Sequence, residues 1–358
     1  MAQRVFINRI ATAVPQFDVH PKFVDYAPRL LSNPRDRKLF ARMAERSGIE
    51  RRYSVIAPHP DPDVLDRDEL FERGAYPGTA DRMALYERHA PGLAAAGVAG
   101  LDLTPEETPT HIVVTSCTGF YAPGLDLDLQ SRLGLRGNVE RTVIGFMGCN
   151  AAINGLKAAR HIVRSDPEAK VLLVSVELCT LHIQETDDLD SILSFLLFGD
   201  GCAAALISAA PVGLELEGFH AEVVPDSAEH ITWRTGDRGF SMYLSGAVPA
   251  AIARGLPGAL AAVRQRFPDD FRLWAVHPGG RSVLDAVERS AGLAPDALEV
   301  SRDILRAYGN MSSPTVLFVL RRMLADGHAP GTPGIAIAFG PGLTAEIMVF
   351  RVAERVHG

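Results

Sequence analysis

Short apolar runs, bounded by Gly, Pro, Asp or Asn, alternate along this chain with longer stretches in which apolar positions return every three or four residues. Runs at residues 5–10, 111–115, 171–176, 202–207, 273–276, 334–339 and 346–352 have the length and composition of buried strands, and residues 141–144 finish another. An Ala/Ile/Leu stripe at helical spacing covers residues 150–164, and residues 248–266, 282–291 and 313–325 read the same way. Strands interleaved with helices predict mixed α/β layers. Residues 79–98 are helical in pattern, with an interruption expected at Pro91-Gly92. Residues 58–78, rich in Pro, Asp and Glu, read as a surface excursion of which no chemistry is expected.

The chain's 358 residues exceed what one small core needs, and Ala209-Ala210-Pro211-Val212-Gly213 offers a boundary. It divides the sequence into residues 1–210 and 211–358. Each half contains a strand, a glycine-bearing turn with a reactive residue, and then a helix: one around Cys149, the other around His277. That repetition hints at duplication. Hydrophobic residues at 47% and charged residues at 22% describe a folded globular protein. Four scattered cysteines, 117, 149, 179 and 202, form no CxxC and no Cys/His cluster. They suggest neither a disulfide framework nor a zinc site, and favour a reducing compartment. Without a signal-like apolar region or a run long enough to cross a bilayer, the cytoplasm is the expected location. A net charge of −7 argues against a nucleic-acid or anionic-membrane binder.

Gly145-Phe146-Met147-Gly148-Cys149-Asn150 forms an elbow between a predicted strand and a predicted helix. A thiol there meets free backbone N–H groups and the helix dipole, both of which stabilise a thiolate. His277, in Trp274-Ala275-Val276-His277-Pro278-Gly279-Gly280-Arg281, and Asn310, in Tyr308-Gly309-Asn310-Met311-Ser312-Ser313-Pro314, occupy similar turns at the ends of apolar segments. Taken singly, each has a structural explanation. Together they supply a nucleophile, a base and two neutral donors for an oxyanion or enolate, a set suited to acyl transfer without a metal. Malonyl-thioester decarboxylation with carbon–carbon bond formation is the particular chemistry expected. Lys38, Arg42 and Arg46 stand at i, i+4 and i+8, one cationic ridge if the segment is helical, suited to a phosphorylated carrier.

These segments do not stand alone. Arg51-Arg52-Tyr53, residues 115–126 (TSCTGFYAPGLD), residues 145–159, residues 197–204 (LFGDGCAA), His277-Pro278-Gly279-Gly280, residues 308–313 (YGNMSS) and Phe339-Gly340-Pro341-Gly342 follow in order. In order and spacing the chain resembles a type III polyketide synthase of the chalcone-synthase-like family over nearly its whole length. The resemblance implies an α/β fold, the thiolase-like αβαβα layered arrangement of two duplicated halves. It also implies a homodimer that uses acyl-CoA and malonyl-CoA, without metal or redox cofactor.

By the same resemblance Cys149 is the acyl-accepting nucleophile, and His277 with Asn310 polarises the thioester and steadies the enolate. Phe198 is the aromatic gate between the CoA tunnel and the cavity, while Asp200 beside it is a structural turn residue. Cys117, Cys179, His182 and Ser312 line the cavity. Cys117 and Cys179 stand where plant members carry Thr, and His182 replaces another Thr, which points to a bacterial-type enzyme. The second gate falls at Met242, or at Phe240 if the alignment slips, and Ala122 marks the loop that reaches the partner's cavity. Arg42 and Arg46, with Lys38 beside them, match the residues that contact CoA phosphates.

The activity so implied is iterative condensation of an acyl-CoA starter, fatty acyl as the first expectation, followed by cyclisation to an alkylresorcinol or alkylpyrone. A single-round, chain-initiating ketoacyl synthase is the nearest rival, and His277-Pro278-Gly279-Gly280 and Gly340-Pro341-Gly342 speak against it. A Cys/His/Asn thioesterase and a non-catalytic dimeric binding module are the remaining alternatives.

Overall fold

In the computed structural model, which describes residues 3–353, the apolar runs pair into strands. The ends of the two halves drawn from the sequence, residues 1–2 and 354–358, lie outside the described residues. In chain order the strands are β1 (Phe6–Ala13), β2 (Phe17–Asp18), β3 (Tyr53–Ser54), β4 (His111–Ser116), β5 (Glu140–Gly145), β6 (Val171–Leu178) and β7 (Asp200–Ser208). They continue as β8 (Leu214–Val223), β9 (Ile231–Gly236), β10 (Gly239–Leu244), β11 (Leu273–Val276), β12 (Pro333–Gly340) and β13 (Thr344–Val352). Nine of them form one sheet in the order β11-β12-β13-β8-β1-β7-β6-β4-β5.

That order contains a repeat. From β4 inward, β4-β6 is parallel and β6-β7 and β7-β1 are antiparallel. From β11 inward, β11-β12 is parallel and β12-β13 and β13-β8 are antiparallel. The two series meet at β1 and β8, which share only the pairs Phe6 with Glu215 and Ile7 with Leu214. Duplication is therefore written into strand order and direction.

Side-chain alternation turns this sheet into layers. Leu173, Ala203 and Ala205 from one half and Ala336, Ala338 and Met348 from the other share a core with helices Ala151–Ser165 and Thr315–Asp326. The alternate positions Leu172, Val174 and Ala204 pack on helix Thr79–Ala99. Their counterparts Ile335, Ile337 and Ile347 pack on helices Val248–Arg266 and Arg281–Ala291. A middle helical layer touched by both halves, with outer helices touched by one each, is the thiolase-like αβαβα arrangement.

One expectation needs correction. Helix Thr79–Ala99 runs through Pro91 without a break. Ala90, Pro91, Leu93 and Ala94 are all buried against the sheet, and this burial offsets the hydrogen bond that proline removes. Residues 58–78 lie mostly at the surface, as expected, and are pinned to the body at a few buried points. Buried Asp66 accepts from Leu70 N and Phe71 N, both at 3.0 Å, and Phe71 packs edge-on against Tyr76 at 5.3 Å. β8 and the β9–β10 hairpin were not read from the sequence, because their faces mix polar and apolar positions. Among the described residues, no helix is long and apolar enough to cross a membrane.

Candidate active site

The elbow after β5 has the geometry its residues dictate. Phe146 and Gly148 take positive φ of 55° and 75°, and a Cβ at Gly148 would lie 2.2 Å from Pro341 Cδ. Only glycine fits there. Cys149 then sits in a 3₁₀ turn, Gly148–Asn150, at the mouth of helix Ala151–Ser165.

Asn310 reaches the same point from the other half. Gly309 ends helix Glu299–Tyr308, and Asn310 pairs with Phe198 in a parallel bridge: Asn310 N donates to Leu197 O at 2.8 Å, Gly199 N to Asn310 O at 3.0 Å. Its Oδ1 accepts from Ser312 N at 2.8 Å, and its Nδ2 donates a long 3.3 Å bond to Gly279 O in the loop that follows His277. Ser312, held at φ 58°, and Asn310 both lie near enough to the Cys149 thiol to favour its charged form. Nucleophile and carboxamide are thus neighbours, and the carboxamide is tied to the histidine loop.

Burial sets the charge states. It pushes the Cys149 thiol up to about 11, against the influence of Ser312 and Asn310, and nearby Glu177 adds to the rise. It also lowers His277 to about 3. At rest the thiol and the imidazole are both neutral, not the thiolate that the elbow suggested, because desolvation outweighs the backbone N–H groups and the dipole. Both ring nitrogens of His277 are buried without a hydrogen-bond partner among the described residues.

The thiol lines a narrow cavity of ≈ 20 Å³. Cys117, Cys179, His182, Phe198, Met242 and Ser312 all line it. Phe240 does not; it is fully buried behind, stacked on His182 at 4.3 Å. His182 donates from Nε2 to Thr118 O at 2.6 Å and accepts at Nδ1 from Phe240 N at 3.0 Å. Burial lowers it to about 3 and holds it neutral, so it presents a satisfied ring to the cavity rather than a free base.

Sequence reasoning missed Glu177, Trp233 and Phe195. Glu177 lies fully buried beneath Cys117 and accepts from Cys117 N at 2.9 Å, Thr118 Oγ1 at 2.7 Å and Ser313 Oγ at 2.5 Å. A lone carboxylate inside the apolar run of β6 was the available signal. Trp233 anchors the β9–β10 hairpin over the cavity through Nε1 to Cys117 O at 2.7 Å. Asp200 accepts from Val55 N at 3.0 Å and Thr180 N at 2.8 Å, tying two loops to the start of β7.

Cys179, Phe195 and Phe198 also face a second, apolar pocket of ≈ 60 Å³. Val19, Phe23, Ile56, Leu65, Phe71 and Ile183 form its apolar wall, so the 58–78 segment contributes a wall of this space. A separate surface cleft runs past Leu197 and Gly279-Gly280 to Arg46 and Arg281. Of the three ridge cations, Arg46 lines this cleft. Lys38 and Arg42 are exposed on the same helix, Pro34–Arg46, outside the lining.

Residues 6–211 match the model of the chalcone and stilbene synthase N-terminal domain, and residues 215–353 that of the C-terminal domain. The chain belongs to the chalcone and stilbene synthases. It is a type III polyketide synthase, a CoA-dependent acyltransferase. It is 33% identical over 371 residues to the alpha-pyrone synthesis polyketide synthase-like Pks18 of Mycobacterium tuberculosis, covering 98% of this chain and 91% of that one. Type III polyketide synthase 21 of Oryza sativa subsp. japonica is 31% identical, over 90% of this chain and 86% of that one. Among solved structures, the C-terminal type III polyketide synthase domain of Steely1 from Dictyostelium superposes with a TM-score of 0.88 at 25% identity, covering 98% of this chain and 100% of that one. PKS-I of the brown alga Ectocarpus siliculosus gives 0.86 at 28% identity, covering 98% and 99%.

Proposed function

We propose that this type III polyketide synthase loads a fatty acyl group from CoA onto Cys149, extends it by repeated condensation with malonyl-CoA, and cyclises the product. An alkylpyrone-type ring is favoured over an alkylresorcinol by the name of the mycobacterial relative. The observation that carries the reading is the pair of apolar spaces on either side of Cys179, Phe195 and Phe198. One adjoins the thiol, where the growing chain is attached; the other offers an alkyl tail an apolar wall.

In this reading His277, neutral and unpartnered, accepts the Sγ proton as the thiol attacks the starter thioester, and returns it to the sulfur of CoA as the C–S bond to CoA breaks. Asn310 Nδ2, freed from its long bond to Gly279, donates to the carbonyl oxygen. Malonyl-CoA then loses CO₂, and the same two side chains hold the enolate oxygen. The enolate carbon attacks the acyl carbon, releasing Cys149 for the lengthened chain. Arg46 and Arg281 flank the cleft by which the CoA phosphates are held, with Arg42 and Lys38 farther along the helix.

A homodimer completes the proposal. β5 is the sheet edge and is largely exposed, with Val143 58% accessible beside exposed Phe120, Met147 and Leu127, and Ala122 lies on the same face. Val143→Asp is expected to convert a dimer to a monomer in size-exclusion chromatography. A wild-type chain that elutes as a monomer removes this part of the proposal.

The starter is tested at the second pocket. Ile56→Trp is expected to lower kcat/KM for a long-chain acyl-CoA at least about tenfold while a short acyl-CoA stays within about twofold. Equal losses for both starters would take the pocket out of the account.

A further inference from the structure

Arg52, from the Arg51-Arg52-Tyr53 motif, is 2% exposed, yet it has no part in the chemistry above. Its Nε donates to His20 Nδ1 at 3.0 Å, and its Nη1 donates to Phe195 O at 2.9 Å and Phe198 O at 2.5 Å. The guanidinium lies 5.0 Å from the centre of the Phe23 ring, on the wall of the second pocket. Burying such a charge is costly unless its donors are well used. Here Nε is used on His20 and Nη1 on the end of helix Leu189–Leu197 and the extended residue Phe198 that follows it, while Nη2 is buried without a partner among the described residues.

These two carbonyls belong to the aromatic pair that separates the pockets. Phe195 and Phe198 face the thiol cavity on one side and the apolar pocket on the other. The clamp extends to the other half: Gly309, at φ 68°, would place a Cβ 2.7 Å from Arg52 Cγ, and Asn310 beside it pairs with Phe198. On the near side His20 is held in place by its own N–H, which donates to Asp18 Oδ1 at 3.0 Å.

We propose that Arg52 is a positioning residue that fixes the Phe195–Phe198 partition and so sets which acyl chain passes between the cavity and the second pocket. The inference rests on the two-pocket reading of the starter site. His20 acts through Arg52, orienting the fork that grips both carbonyls. Lysine cannot replace it, because one ammonium cannot present the fork to His20 and two carbonyls together.

The test compares kcat/KM for a long-chain and a short acyl-CoA in the wild type, Arg52→Lys, His20→Ala and His20→Gln, each checked for folding by thermal unfolding. Arg52→Lys is expected to change the long-to-short ratio by about fivefold or more, and His20→Ala to change it in the same direction by less. His20→Gln, which keeps an acceptor, is expected to restore most of the wild-type ratio. Should Arg52→Lys fail to fold, the two His20 variants decide. A ratio that stays constant while both rates fall together would overturn the proposal and leave Arg52 a purely structural residue. Wild-type enzyme that accepts no long-chain starter defeats the starter reading instead, and Arg52 is then judged on any two accepted starters of different length.

Discussion

Cys149→Ala is expected to abolish acyl-enzyme formation and to lower product formation by about 10⁴-fold or more. Three other thiols are present, and two, Cys117 and Cys179, line the same cavity. Neither can substitute. Burial and the neighbouring Glu177 carboxylate hold both far above the ordinary thiol range, whereas Cys149 is raised less, to about 11, is favoured by Asn310 and stands at the elbow. Intact-protein mass spectrometry after incubation with an acyl-CoA should show one added acyl group on the wild type and none on the variant. Some malonyl-CoA decarboxylation should persist in the variant, because His277 and Asn310 do not need the thiol to hold an enolate. An acyl group of undiminished occupancy in Cys149→Ala would move the nucleophile elsewhere.

Asn310→Ala is expected to reduce both decarboxylation and condensation by about 10²- to 10³-fold, the usual effect of removing one oxyanion donor. Acyl loading should suffer less, since the thiol and His277 remain. The side chain also accepts from Ser312 N and donates to Gly279 O, so alanine loosens two loops as well as removing a donor. Asn310→Asp separates these effects: it preserves the acceptor but offers a carboxylate where a donor is required. Steady-state rates for malonyl-CoA decarboxylation without starter provide the measurement. Decarboxylation unchanged in both variants would confine Asn310 to a structural part.

Much of this architecture was legible in the chain. The seven apolar runs read as strands correspond to strands of the central sheet, and the layers follow from their alternation with helices. The elbow could be read because its chemistry is local: glycine, thiol and helix are consecutive residues. Other features depend on contacts between distant segments. Pro91 stays helical because the sheet buries it, and residues 58–78 become a pocket wall because Asp66 and Phe71 fold them inward. The neutral resting state of Cys149 likewise follows from burial by both halves, which no local sequence reports. Glu177 and Arg52 were hardest to read. Each is a charged residue whose partners, Ser313 for one and Phe195 and Phe198 for the other, lie more than a hundred residues away.

The most direct test of the account is mass analysis of the products formed by the purified enzyme from a long-chain acyl-CoA and isotopically labelled malonyl-CoA, with no carrier protein added. The account predicts a cyclic product that retains the fatty acyl chain and contains two or more labelled extender units. A product with a single extender unit, a strict requirement for a carrier protein, or release of the free starter acid without malonyl consumption would contradict it.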